Sequence, residues 1–153
     1  MATKSAKPAC YLDTSALLKL FVEEAGSAQV RAAVKAAPAL LCSRLGHTEA
    51  SVSLARMVHL GRLDADQLPR LLGALDDYWD ESIQEIPLSD GVLEQARQLA
   101  QRFPLRTYDA IHLASAREAR KLLRGVFEGE ILFLAFDKNL LNAAKESGFS
   151  VPA

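Results

Sequence analysis

Three short apolar runs, at 9–12, 40–42 and 131–136, constrain this chain more than any other feature. Each is too short for a helix and has no polar face, which is the pattern of a strand buried on both sides. A fourth strand is predicted over 83–88, closed by the Ser89-Asp90 pair that opens a helix. Between these runs the apolar residues return at helical spacing. Leu17, Leu18, Leu20 and Phe21 form one such set, and Val30, Ala33, Val34 and Ala37 another, separated by a break at Gly26-Ser27. Helices follow over 47–59, then from a cap at Asp64 through Leu68, Leu75 and Trp79, then from Val92 to about Phe103. A long helix opens around Thr107, its expected N-cap, and runs to about Leu123. A last helix over 140–147 stops at Gly148, and 149–151 adds a short edge strand. Buried strands alternating with helices predict an α/β fold, with a mostly parallel sheet covered on both faces. Right-handed crossovers bring the C-terminal ends of all strands to one rim, where ligands of open α/β sheets bind.

The 153 residues fit one domain over 9–153 behind a loose tail at 1–8. Half are hydrophobic, enough for a core without disulfides or structural metal. Nineteen acids against 18 bases give a formal charge of −1, which excludes a generic polycation that coats nucleic acid by charge alone. Cys10 and Cys42 lie in strand runs and read as small buried hydrophobes in a reducing compartment. They have no close Cys/His companions for a zinc site. No apolar stretch follows the first lysines as a signal peptide would require, and no run approaches the roughly 18 residues of a membrane span. A soluble, cytoplasmic protein with no membrane partner is expected.

Chemistry concentrates on four acids. Asp13 directly follows the first strand, and Asp137 the last. Asp109 falls in the first turn of its helix, where the dipole favours a carboxylate, and Glu49 falls early in the helix after the second strand. Singly, each has a plainer reading as a cap, a dipole partner or a surface residue. Together they converge on one rim. Crowded carboxylates raise one another's pKa unless a cation sits among them, and hard oxygen donors suit Mg²⁺ or Mn²⁺ over zinc. Such a site can activate water and neutralise a phosphodiester.

The residues that carry this pattern also carry a resemblance. Tyr11-Leu12-Asp13-Thr14-Ser15-Ala16-Leu17-Leu18-Lys19-Leu20-Phe21 resembles the opening motif of PIN-domain ribonucleases, and more narrowly that of VapC toxins from type II toxin–antitoxin pairs. Glu49 falls where that family places its second acid. Arg106-Thr107-Tyr108-Asp109-Ala110-Ile111-His112-Leu113-Ala114 resembles the third motif, and Leu134-Ala135-Phe136-Asp137-Lys138-Asn139-Leu140 the fourth, with Ala135 where the family often has Thr or Ser. The resemblance spans about 11–151 in matching order. It implies a three-layer α/β/α sandwich with a central parallel sheet and a metal-dependent endoribonuclease that takes RNA as substrate. Asp13, Glu49, Asp109 and Asp137 are then both the catalytic and the metal-binding residues. It also implies a homodimer and a small cognate antitoxin.

Other residues stay open. Ser15 suits a metal-bound water, a phosphate oxygen or a helix cap. His112 reads as a packed residue of an apolar helix, and His47 as a capping or surface residue. Arg106 and Lys138 suit either substrate phosphates or local ion pairs. Asp76, Asp77, Asp80 and Glu81 read as a solvated face, as does the stripe of Arg117, Arg120, Lys121 and Arg124. Two rival functions stand beside the nuclease. One is an Asp-dependent phosphoryl-transfer enzyme, disfavoured because Ser15 stands where a phosphatase needs a second Asp. The other is a PIN-like module with degraded chemistry that binds RNA or protein.

Overall fold

The structure is a computed structural model that describes residues 6–153. Strands β1 (Ala9–Leu12), β2 (Leu40–Ser43), β3 (Ile83–Ile86) and β4 (Ile131–Leu134) form one sheet in the order β3-β2-β1-β4. All three pairings are parallel, as the alternation of strands with helices predicts. The chain builds β1, β2 and β3 in one direction and then returns to add β4 on the other side of β1. That reversal makes a crevice beyond the ends of β1 and β4.

The period-two alternation of strands sorts side chains into two cores. Ala9 and Tyr11 of β1 join Ile131 and Phe133 of β4 on one face, under α5 (Asp90–Arg102), α6 (Thr107–Leu123) and α7 (Lys138–Glu146). Cys10 and Leu12 join Leu40, Cys42 and Leu134 on the other face, under α1 (Thr14–Leu18), α2 (Ser27–Ala36), α3 (Arg44–His59) and α4 (Gln67–Ser82). The result is the expected three-layer α/β/α sandwich.

Several boundaries differ from the sequence expectation, each for a local reason. β3 stops at Ile86 because Pro87 has no N–H to give the ladder. The strand expected at 149–151 is a single bridge, Ser150 against Leu132, in which Phe133 N–H donates to Ser150 O at 2.8 Å. Asp64 does not cap α4. That helix starts at Gln67, and Gln67 Oε1 instead accepts the backbone N–H of Asp64 at 2.9 Å. Thr107 is the first residue of α6, and Arg106 occupies the N-cap without a side-chain capping bond. α1 closes at Leu18, and α2 starts from Gly26 at φ +91°, where a side chain would also strike the Phe136 ring. Of the tail expected at 1–8, residues 1–5 lie outside the described residues, and 6–8 carry neither helix nor strand. Among the described residues no helix is long and apolar enough to cross a membrane.

Leu75 of α4 is fully buried against the α1–α4 face, whereas Leu93 of α5 is 38% exposed. Leu75→Ala should lower stability by about 2–5 kcal/mol, because it opens a cavity in packed surroundings. Leu93→Ala should cost about 1 kcal/mol or less. Urea midpoints at unchanged m measure both, and equal costs would mean that α4 is not core.

Candidate active site

The four acids meet at the crevice. A cleft of about 430 Å³ is lined by Asp13, Glu49, Asp109 and Asp137, with Arg106 and His112 among them. Two of the acids get there from strand ends, Asp13 directly after β1 and Asp137 after Ala135 and Phe136, because β4 stops at Leu134 rather than at the expected Phe136. β1 pairs residue for residue with β4, Leu12 opposite Leu134, so their ends lie level, and Asp13 N–H donates to Leu134 O at 3.0 Å. Asp13 and Asp137 are also the N-caps of α1 and α7, their Oδ1 atoms accepting from Ala16 N and Leu140 N, each at 2.9 Å. The capping role and the rim position are therefore both real.

Asp13 is 5% exposed. Burial pushes its carboxyl above the ordinary value, and the neighbouring Asp109 adds to the rise. His112 and the hydrogen bonds from Ser15 (2.7 Å) and Ala16 offset only part of it. Asp109 is raised too, chiefly by burial, with Asp137 adding and Arg106 opposing. Ser15 thus donates to Asp13 rather than standing free.

Glu49 has the opposite balance. Burial alone would raise it, but bonds from His112 Nε2 (2.8 Å) and Thr14 Oγ1 (2.7 Å) to Oε1 prevail and hold it below the ordinary value. Behind His112 the chain of contacts continues. Its Nδ1 lies 3.0 Å from Tyr11 Oη, which also accepts Ser43 N–H at 3.2 Å. With Nε2–H directed at a carboxylate, Nδ1 is the acceptor of the Tyr11 hydroxyl, and the whole set is satisfied. Burial drives the Tyr11 phenol well above its usual pKa, so that proton stays in place. His112 is buried, as its apolar helix predicts, but it is also the fixed donor to Glu49. The packing reading missed that second role. Tyr11 in an otherwise apolar strand and His112 on an otherwise apolar helix were the available signal, since buried polar groups need partners. Gly46 permits the approach of α3 to this centre, because a Cβ there would collide with Cys42 Sγ.

Arg106 lies between the remaining acids, Nε 3.4 Å from Asp109 Oδ2 and Nη2 3.7 Å from Asp137 Oδ2. Its side chain is 82% exposed and both contacts are long, so the pairing is weak and displaceable. His47 turns away from the acids to Asp76 (2.7 Å) and stacks on Trp79. The cysteines stay thiols, Cys10 pushed up to about 11 by burial and Cys42 also raised well above its ordinary value by burial.

The donor set suits a hard divalent cation. It consists of carboxylates, two of them held at raised pKa by burial and mutual repulsion, a state that a cation relieves. Oδ2 of Asp13 and Oδ1 of Asp109 carry no hydrogen bond among the described residues. As the side chains stand, no three His, Cys, Asp or Glu groups among the described residues converge at ligating distance. Direct ligation by more than two acids thus requires Arg106 to move out or water to bridge.

The raised Asp13 has a stability consequence. A group whose folded pKa lies above its unfolded value contributes stability that is complete below the unfolded pKa, 3.8 for Asp, and lost as pH rises through the folded one. At neutral pH the ionised carboxylate therefore weakens the fold. Asp13→Asn keeps a capping oxygen and should raise the thermal midpoint at pH 7 in chelator, with the gain vanishing in strong acid. Thermal melts across pH measure this, and a lower midpoint at pH 7 would contradict the burial argument.

Comparison with known proteins agrees with this architecture. The family model described as PIN domain matches residues 10–146. The chain is 34% identical over 109 residues to Ribonuclease VapC45 of Mycobacterium tuberculosis, covering 71% of this chain and 75% of that one. It is 30% identical over 143 residues to Ribonuclease VapC47 of the same organism, covering 91% and 92%. Its fold is similar to that of a toxin–antitoxin complex from Klebsiella pneumoniae, with TM-score 0.59 at 23% identity over 86% and 89% of the two chains. The chain belongs to the PIN domain family, and within it to the VapC type.

Proposed function

We propose that this protein is a Mg²⁺- or Mn²⁺-dependent endoribonuclease, the toxin of a toxin–antitoxin pair. The observation that carries the reading is the convergence of Asp13, Glu49, Asp109 and Asp137 on one cleft at the sheet's reversal point. The VapC45 and VapC47 relatives, both named ribonucleases, supply the reaction class. In this reading residues 9–153 are one nuclease domain, cytoplasmic and homodimeric, held inactive by a small antitoxin.

Asp13 and Asp109 are the principal ligands, through their free carboxylate oxygens. Glu49 and Asp137 complete the acidic wall. When bound, the ion neutralises charge at the phosphodiester and eases ionisation of the attacking water. Glu49 is kept ionised by His112 and Thr14, so it is fit to orient that water. Tyr11 fixes the tautomer that lets His112 do so. Arg106, exposed at the cleft mouth, is placed to trade its weak carboxylate pairs for an RNA phosphate.

One observation favours the rival of a degraded, metal-free binding module, namely the guanidinium of Arg106 already between Asp109 and Asp137. Its exposure and long contacts make it a poor permanent counter-ion. Titration of Mn²⁺ into the antitoxin-free protein separates the two. The nuclease should gain stability with metal, about 2.7 kcal/mol at a hundredfold excess over Kd, and should cleave RNA. Asp13→Asn should lose both responses, with cleavage down by at least about 10²-fold. A wild-type protein that neither binds metal nor cuts any RNA would leave the binding module as the better account.

A further inference from the structure

Three hollows run into one another across the N-terminal ends of α3 and α6. The first holds the four acids. A second, of about 550 Å³, shares Glu49, Arg106 and Asp109 with it and reaches Tyr108. A third, of about 270 Å³, continues along α3 between Leu45, Val52, Arg56 and Tyr108. Glu49 borders all three, and Ser53 borders both the first and the third. Hydrolysis accounts for the first hollow. No step of it uses the third.

That third hollow has an unusual surface. Tyr108 is 57% exposed and Val52 61%, so an aromatic ring and an aliphatic side chain stand together in water with nothing among the described residues to cover them. Beside them Arg56 is exposed and forms no ion pair among the described residues, unlike Arg31, Arg44, Arg97 and Arg106. Its charge is free for an anion. A patch with an apolar ring face and one free guanidinium, opening onto a phosphodiester-cutting cleft, matches a nucleotide: a base to stack and a phosphate to pair.

The need for such a patch follows from charge. The chain has a formal charge of −1 and gathers four carboxylates where the RNA backbone must lie. Net charge therefore supplies little long-range attraction for the polyanion. Stacking of bases on aromatic rings does not depend on net charge and tolerates any base.

We propose that the Tyr108–Val52–Arg56 hollow is a nucleotide subsite. One unpaired nucleotide flanking the reacting phosphodiester lays its base on Tyr108 against Val52, and Arg56 meets its phosphate. The proposal rests on the reading that the acids act on RNA. A protein docked on the same patch, a second copy of this chain included, is the outcome that would replace it.

The test uses an unstructured oligoribonucleotide carrying 2-aminopurine, whose fluorescence falls when the base stacks. It is titrated, without added metal, into the full-length Asp13→Asn protein as the parent, which retains the helix cap and has one carboxylate fewer in the cleft. The parent should bind and quench the probe. Adding Tyr108→Ala should weaken binding about tenfold and relieve quenching, while Tyr108→Phe, which keeps the ring face, should stay within about twofold. Adding Arg56→Gln should weaken binding and reduce the salt slope by about one. Light scattering on each variant reports assembly state. Unchanged binding and quenching in Tyr108→Ala overturns the subsite, as does a loss fully accounted for by a dimer falling apart. A parent that does not bind the probe overturns it as well. Cleavage by the wild type is scored separately. If RNA is cut while Tyr108→Ala behaves as the parent, the subsite alone falls. If nothing is cut while Tyr108-dependent stacking persists, the subsite stands and the hydrolytic reading falls.

Discussion

The parallel pairing of β1 on both its edges is the constraint from which the rest follows. Its backbone is shared between β2 and β4, and every one of its side chains is buried, so the strand can end only where a polar residue leaves the sheet. That residue is Asp13, which accepts the Ala16 N–H at the start of α1 and at the same time faces the crevice. Cap and functional group are one carboxylate. The same economy recurs at Asp137, which caps α7 three residues beyond the last residue of β4.

Around that edge the protein sets carboxylates against one another in two different ways. Glu49 is supplied with donors and is stabilised as an anion. Asp13, buried, and Asp109, half-buried, lie beside like charge and are disfavoured as anions. A folded chain keeps such a cost only where packing elsewhere over-determines the arrangement, as it does here in the two cores that clamp β1. Groups held at perturbed pKa in a cleft are the usual mark of chemistry rather than architecture.

Much of this was legible along the chain, because the two periodicities report burial directly. The strands announced themselves as apolar runs, and the rim positions of Asp13 and Asp137 followed from strand ends. Glu49 and Asp109 followed from helix starts. What escaped was whatever depended on partners distant in sequence. Tyr11 and His112 are 101 residues apart, and Glu49 and His112 are 63 apart, so no local pattern ties them. Helix and strand termini slipped where a single donor decided the outcome, as at Pro87, where the ladder loses an N–H, and at Gln67, whose side chain took a role expected of Asp64.

Tyr11 is a core residue of one layer by its ring, stacked on Phe133 at 5.1 Å, and part of the rim by its hydroxyl. Direction along a strand is decided by parity alone. Apart from Tyr11, whose hydroxyl holds His112, composition in β1 is therefore open to change as long as size is kept, but its length is not. One inserted or deleted residue before Tyr11 would send the phenol into the opposite layer and bring a cysteine or leucine beneath His112. Related chains can differ freely in how they reach this strand, while the count from its first paired residue to Asp13 is the part of the molecule with no room to drift.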